Sequence, residues 1–285
     1  MSAMPETTPS IRPASDTPTP RRGGAQAVLS VRAVTQISPH LLRVTLGGEQ
    51  FTTLRRSQDT DAYVKLLLPR PGSDLTPPYD LDALRENSPE LLPAMRTYTV
   101  RRWHDAEQSL DIDVVLHDDA VGIAAPWAAR ARVGETIALK GAGGGYAPRP
   151  DATDHLLIGD HATLPAIAAS LEAMPEDARG HALIQLEHGE DRIDLRYPRG
   201  IEVQWVIGTG ADLLKAVQAL PVTVSPGLQV FCHAERGLTK QLRAHLVAER
   251  RIERGQISIS AYWAQGKVED EFQAEKRQPI GQIDD

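Results

Sequence analysis

Cysteine is almost missing from this chain of 285 residues, where Cys232 stands alone. A single thiol makes no internal disulfide and no cysteine metal cluster, which suits a reducing, cytoplasmic setting. No apolar run approaches the ~20 residues that a membrane span needs, and the N-terminus lacks the apolar core of a secretory signal. Positive charge is in deficit, with a formal net charge of -7, which argues against non-specific binding to nucleic acid or to anionic membranes. Two phosphate-binding fingerprints are also missing: there is no G-x-G-x-x-G, and the glycine-rich GAGGGY at 141–146 lacks the Gly-Lys-Ser/Thr ending of a P-loop.

Apolar residues make up 41% of the chain, ample for a core, and the length suggests two domains. Residues 1–24 are rich in Pro, Ser and Thr and read as a disordered tail. From 25 to 148, six short β-rich runs are separated by turn residues: AVLSVRAVTQIS, LLRVTLGG, AYVKLLLP, MRTYTVRR, SLDIDVVLH and ETIALKGA. In the fifth, Leu110, Ile112, Val114 and Leu116 share one face opposite Asp111 and Asp113, the pattern of a half-buried strand. The expectation is a small antiparallel β-barrel. The insert at 71–94 reads as a loop with one short helix, and GAGGGY as a flexible exit from the barrel.

Residues 153–266 change pattern. Strands HLLIG, HALIQLE, VQWVIG, LQVFCHA and ISISAYW alternate with helices containing AIAASLEAM, LLKAVQAL and TKQLRAHLVAER, which predicts an α/β domain with a parallel sheet. Ile167, Leu171 and Met174 keep helical spacing, and Pro165 suits a first turn. Residues 267–285 read as one more helix and a tail. A barrel followed by a domain of nucleotide-binding type points to a flavin bound across the seam.

Four segments carry candidate chemistry. On an extended strand, Arg96 and Tyr98 project to one face and Thr99 to the other. Arg96 offers a fork for a pyrophosphate, Tyr98 a ring for a heterocycle and Thr99 a donor for a ring nitrogen; an exposed strand with solvated arginines is the alternative. In the second segment, His117 ends a strand, Gly122 allows a turn, and APWAARA begins a short helix closed by Gly134, with Trp127 packing between layers. Its first turn would offer free N–H groups to phosphate. In the third, Gly159-Asp160 stands between strand and helix, where α/β domains receive nucleotides; a plain turn is the alternative. In the last, His233, Glu235, Arg236, Tyr262 and Trp263 stand at other strand ends on the same rim, as ligands or as packing.

These pieces, in this order, resemble the siderophore-interacting protein family, flavin-dependent ferric-siderophore reductases related to ferredoxin–NADP reductases. Arg96-Thr97-Tyr98-Thr99 resembles the family's Arg-x-Tyr-Ser/Thr flavin motif. VVLHDDAVGIAAPWAARARVGE is similar to its His…Gly-Pro-Ala-Ser-x-Trp-Ala stretch, IGDHATLPAIAASLEAMP to its Gly-Asp-Glu-Thr-Ala-Leu-Pro-Ala-Ile pattern, and HAERGLTKQLRAHL and AYWAQGKVEDE to its last two blocks. The resemblance covers residues 27–272. It implies a ferredoxin reductase-like barrel holding noncovalent FAD, with Arg96 on the pyrophosphate, Tyr98 on the isoalloxazine and Thr99 near its reactive edge. The 122–128 turn, with Gly122, Ala124, Ala125 and Trp127, would serve the phosphates, and Thr97 and His117 complete the barrel set. Gly159, Asp160, Thr163, Glu235, Tyr262 and Trp263 would form the rim where NAD(P)H docks as electron donor. Lys65, Arg130 and Lys267 are the candidate basic patch for an anionic ferric siderophore. The chain departs from the family pattern at Ala125, the usual serine, where one lost hydroxyl donor costs about 0.5–1.5 kcal/mol. It departs again at His161, the usual acidic position, and at Ala162-Thr163, the reverse of the usual order. Two other functions stay open: a flavin reductase passing electrons to ferredoxin or flavodoxin, and a non-catalytic binder of flavin or ferric chelate.

Overall fold

The protein is described by a computed structural model covering residues 25–116, 122–276 and 278–283. Six strands close an antiparallel barrel: β1 (Gln26–Ser38), β2 (Leu41–Gly47), β3 (Tyr63–Leu68), β4 (Ala94–His104), β5 (Ser109–Val115) and β6 (Thr136–Gly143), in the spatial order β1-β2-β5-β4-β3-β6. All six expected runs are strands. Alternation fills the interior with Leu29, Val44, Leu66, Leu110, Ile112 and Leu139. The expected insert helix is α1 (Leu81–Asn87), capped by the Asp80 carboxylate. A second short helix, α2 (Ala124–Arg130), lies beyond β5 and presses Ala124, Ala128 and Trp127 on the barrel core.

The second domain is a five-stranded parallel sheet: β7 (Asp154–Gly159), β8 (Arg179–Leu186), β9 (Gly200–Ile207), β10 (Leu228–Glu235) and β11 (Ile257–Trp263), in the order β11-β10-β7-β8-β9. Helix α3 (Leu164–Ala173) packs Ile167 and Leu171 on one face. Helices α4 (Gly210–Ala219) and α5 (Arg236–Arg243) cover the other with Leu213, Val217, Leu238 and Leu242. A last helix, α6 (Glu269–Glu275), follows β11 and reaches back to β4. No helix among the described residues is long and apolar enough to cross a membrane.

Three expectations need correction. Asp111 and Asp113 are not on a solvated face: both are buried, because Arg43 forks onto Asp113 at 2.7 and 2.8 Å while Thr45 and His104 hold Asp111. Gly134 does not close α2, which ends at Ala131 in extended conformation; Gly134, at φ 93°, instead donates its N–H to Val31. The glycine run is not a flexible exit. A Cβ on Gly141 would stand 2.7 Å from the Arg55 backbone nitrogen, one on Gly143 would run into the Tyr63 ring, and Gly145 and Tyr146 donate their N–H groups to Asp61 at 2.8 and 2.9 Å. Close approach, not looseness, demands glycine here.

The two domains are stitched together. Buried Asp191 accepts from the Ser38 hydroxyl and from the His40 backbone and ring, and Glu172 of α3 takes a two-pronged bond from Arg101 and a third from Arg102. A ring column crosses the seam: Tyr146 meets Phe231 at 4.8 Å, Phe231 stacks on His233 at 4.2 Å, and His233 meets Tyr262 edge-on at 4.9 Å. Burial, and secondarily the Lys276 ammonium, hold the His233 imidazole down to about 3. The unfolded chain therefore binds a proton at His233 below the ordinary imidazole range while the native state does not, and stability falls as pH drops.

Two outcomes follow from this packing. Gly141→Ala should destabilise the fold by about 1–3 kcal/mol in chemical denaturation, because the obstructing atoms are backbone. Lowering the pH from 6.5 to 5 should cost about 1.5 kcal/mol of native stability through His233, and a His233→Gln variant, whatever its absolute stability, should show a flatter slope against pH.

Candidate functional site

Strand β4 changes partners halfway. Its first part, Ala94 to Thr99, pairs with β3, whereas β5 joins it only from Val100 onward, with an irregularity between Val100 and Arg102. Among the described residues, the β5-facing edge of residues 94–99 is therefore without a strand partner, and an unpaired row of backbone donors is a ready binding edge. Thr97 donates from that edge: its N–H reaches both carboxylate oxygens of Glu269 at 3.0 Å, and its hydroxyl donates to the same carboxylate at 2.6 Å. Arg96 donates to Asp270 at 3.3 Å and to the Met95 carbonyl at 2.8 Å. Burial pushes the Glu269 carboxyl up, against the pull of Thr97, Arg96 and Lys65.

Tyr98 rests its ring against the barrel core, and burial raises its phenol. Thr99 is buried beside the Tyr262 side chain, so the far tip of β11 touches the end of the β4 segment. Arg96, Thr97, Tyr98, Thr99 and Tyr262 are thus brought together, and Lys65, in register with Thr97 on β3, joins them. Gly122 sits exposed at φ 106° with open space where a Cβ would project, a conformation that favours glycine. Ala124 is buried, Ala125 half-buried, and Trp127 packs on the core; His117 lies outside the described residues. Arg130 ends α2 in an exposed position, and Lys267 is engaged by Glu275 at 2.8 Å and Glu271 at 3.9 Å.

The rim of the parallel sheet has a different character. Asp160, buried just beyond β7, accepts from the Thr163 N–H and hydroxyl, from the Glu235 N–H at 2.9 Å and from the Trp263 indole at 2.8 Å. One carboxylate thereby ties together the ends of β7, β10 and β11 and the start of α3. Burial pushes its carboxyl up, opposed by those four bonds. Thr163 is fully buried and also donates to the His233 carbonyl, and a Cβ on Gly159 would strike the Thr163 side chain. Glu235 caps α5 through Leu238 N–H and accepts from Gln265 N–H. Gly159, Asp160, Thr163 and Glu235 shape the rim, while Trp263 presents an exposed ring on it.

The donors on β4 suit an anionic, planar ligand: the Arg96 guanidinium and the Thr97 hydroxyl and N–H, each in contact with a carboxylate, with a tyrosine ring beside them. By that chemistry the residues fit a flavin dinucleotide. Sequence reading found this strand but missed Glu269 and Asp270; the acidic run VEDE at 268–271 was its only signal, and their placement follows from where α6 packs.

Comparison with known proteins agrees. A family model described as "Siderophore-interacting FAD-binding domain" matches residues 30–146, and one described as "Siderophore-interacting protein" matches residues 152–266. An uncharacterised protein of Mycobacterium tuberculosis is 39% identical over 87% of this chain and 93% of its own length. The ferric vibriobactin reductase ViuB of Vibrio cholerae is 31% identical, covering 84% of this chain and 90% of its own. The crystal structure of the siderophore-interacting protein SipS from Aeromonas hydrophila superposes with a TM-score of 0.73 at 30% identity, over 88% of this chain and 96% of that one. With an FAD-binding type of barrel joined to the parallel-sheet domain of those relatives, this chain belongs to the siderophore-interacting protein family.

Proposed function

We propose that this protein is a flavin-dependent reductase of ferric siderophores, using electrons from NAD(P)H and releasing Fe(II) in the cytoplasm. The observation that carries the reading is the open edge of β4, which bears Arg96, Tyr98 and Thr99 and whose last residue lies beside Tyr262 of β11. The relationship to ViuB, itself named a ferric vibriobactin reductase, supports the choice of substrate class.

The chemistry that a bound FAD supplies is the conversion of a hydride donor's electron pair into single-electron transfers. The chain's own residues bind and place. The Arg96 guanidinium provides the fork for a diphosphate, with Thr97, Gly122, Ala124 and Ala125 supplying nearby backbone. Tyr98 offers its ring as a packing surface, and Tyr262 lies beside Thr99 at the end of the strand. Gly159, Asp160, Thr163, Glu235 and Trp263 form the rim against which a nicotinamide donor docks, and Trp263 is the exposed ring there. Lys65, in register with Thr97, is the leading contact for an anionic ferric chelate, followed by Arg130 and Lys267. Iron is the substrate's own cargo: Fe(II) is held far more weakly than Fe(III) by oxygen-rich chelators, so reduction releases it.

A second reading, a flavin or ferric-chelate binder without turnover, draws on one observation. Asp160 and Thr163 spend their polar groups inside the fold, leaving fewer side-chain donors for a nicotinamide.

Protein reconstituted with FAD and mixed anaerobically with NADH or NADPH should lose its flavin absorbance, and added ferric siderophore should then yield Fe(II) to a colorimetric trap. Bleaching without Fe(II) would point to ferredoxin or flavodoxin as acceptor, persistent colour with both nucleotides to a ferredoxin donor or to the binder, and failure to take up FAD would end the flavin reading altogether. Lys65→Ala should raise KM for an anionic ferric chelate with flavin content unchanged; an unaltered KM removes Lys65 from the site.

A further inference from the structure

Helix α6 lies across the strand to which the flavin reading assigns anion binding. Its far end is anchored in the parallel-sheet domain. Phe272 is buried among Ala261 and Ala264, and Glu275 accepts from Arg236 at 2.6 Å and from Lys267 at 2.8 Å. Among the described residues, the polar ties of its near end to β4 are two carboxylates: Glu269 on the Thr97 N–H and hydroxyl, and half-exposed Asp270 on Arg96 at 3.3 Å. Between β11 and α6 the chain turns at Gly266, exposed at φ 72° with nothing within 4 Å of a would-be Cβ, a joint that can change angle without a clash. Arg96, Lys65 and Lys276 are the cations facing Glu269.

We propose that α6 is a strap whose acidic first turn occupies the Arg96–Thr97 donors and yields them to the diphosphate of an incoming dinucleotide. The inference rests on the flavin reading. A carboxylate and a phosphate seek the same guanidinium fork, so the two cannot both have Arg96 at full strength. An Asp–Arg contact with half of the aspartate in water is a weak tie, whereas a diphosphate can engage the fork through two parallel hydrogen bonds. A diphosphate placed beside Glu269 and Asp270 would also face two like charges at short range, which favours moving the helix turn away. The anchored end keeps α6 attached while its first turn lifts, with Gly266 as the joint.

The test uses the full chain stripped of flavin. FAD affinity is measured by quenching of flavin fluorescence for the wild type and for Asp270→Asn. Amide hydrogen exchange over residues 268–276 is then followed in the wild type with and without FAD. Removing the competing charge should tighten FAD about two- to fivefold, and FAD should speed exchange in α6, the opposite of the protection that a ligand gives to a wall it touches. Unchanged or weaker affinity in Asp270→Asn, or unchanged or slower exchange in α6, overturns the strap and makes α6 a fixed part of the pocket. FAD uptake by neither protein is a separate outcome: it defeats the flavin reading and the strap with it.

Discussion

A barrel closes by pairing strand edges, and among the described residues this one leaves a stretch of β4 without a strand partner on its β5 side. Residues 94–99 hold β3 on one side, but β5 reaches β4 only from Val100. Buried or half-buried backbone donors must find acceptors, and that requirement accounts for much of what surrounds the strand. A C-terminal helix lays its carboxylates along the gap, the tip of β11 meets Thr99 through Tyr262, and arginines on the strand make their bonds outside the barrel. The same requirement makes the edge available to a ligand richer in acceptors than Glu269 and Asp270.

The gap is useful only if the second domain is held in a fixed relation to it. Buried polar groups provide that relation. Asp191, Glu172 and Asp61 each collect several donors across or beside the seam, and the Tyr146–Phe231–His233–Tyr262 column packs rings through it. Asp160 does the same within the sheet, pinning three strand ends with one side chain. A carboxylate with four donors rigidifies what it joins, and removing one partner leaves a buried charge exposed to the full cost of desolvation.

Both architectures were legible because their signals are local: period-two alternation in LDIDVV, helical spacing at Ile167 and Leu171, and turn residues between the runs. The strand of interest was legible for the same reason, since Arg96, Tyr98 and Thr99 are neighbours in sequence. What escaped was long-range. Nothing near Asp111 or Asp113 announces that Arg43, some 70 residues earlier, will bury one of them, and GAGGGY carries no mark of the Arg55 backbone and the Tyr63 ring that crowd it. Glu269 lies more than 170 residues from Thr97. An acidic turn reads as a solvated helix start until tertiary packing sets it against a strand edge.

The order of these parts along the chain also sets a clock. All six barrel strands are complete by Gly143, whereas α6 begins at Glu269, about 125 residues later. At about 5–20 residues per second of ribosomal synthesis, the nascent barrel spends several seconds with Arg96 and Thr97 bare, before the helix that covers them has been made. During that interval the strand's donors have no internal carboxylate to meet.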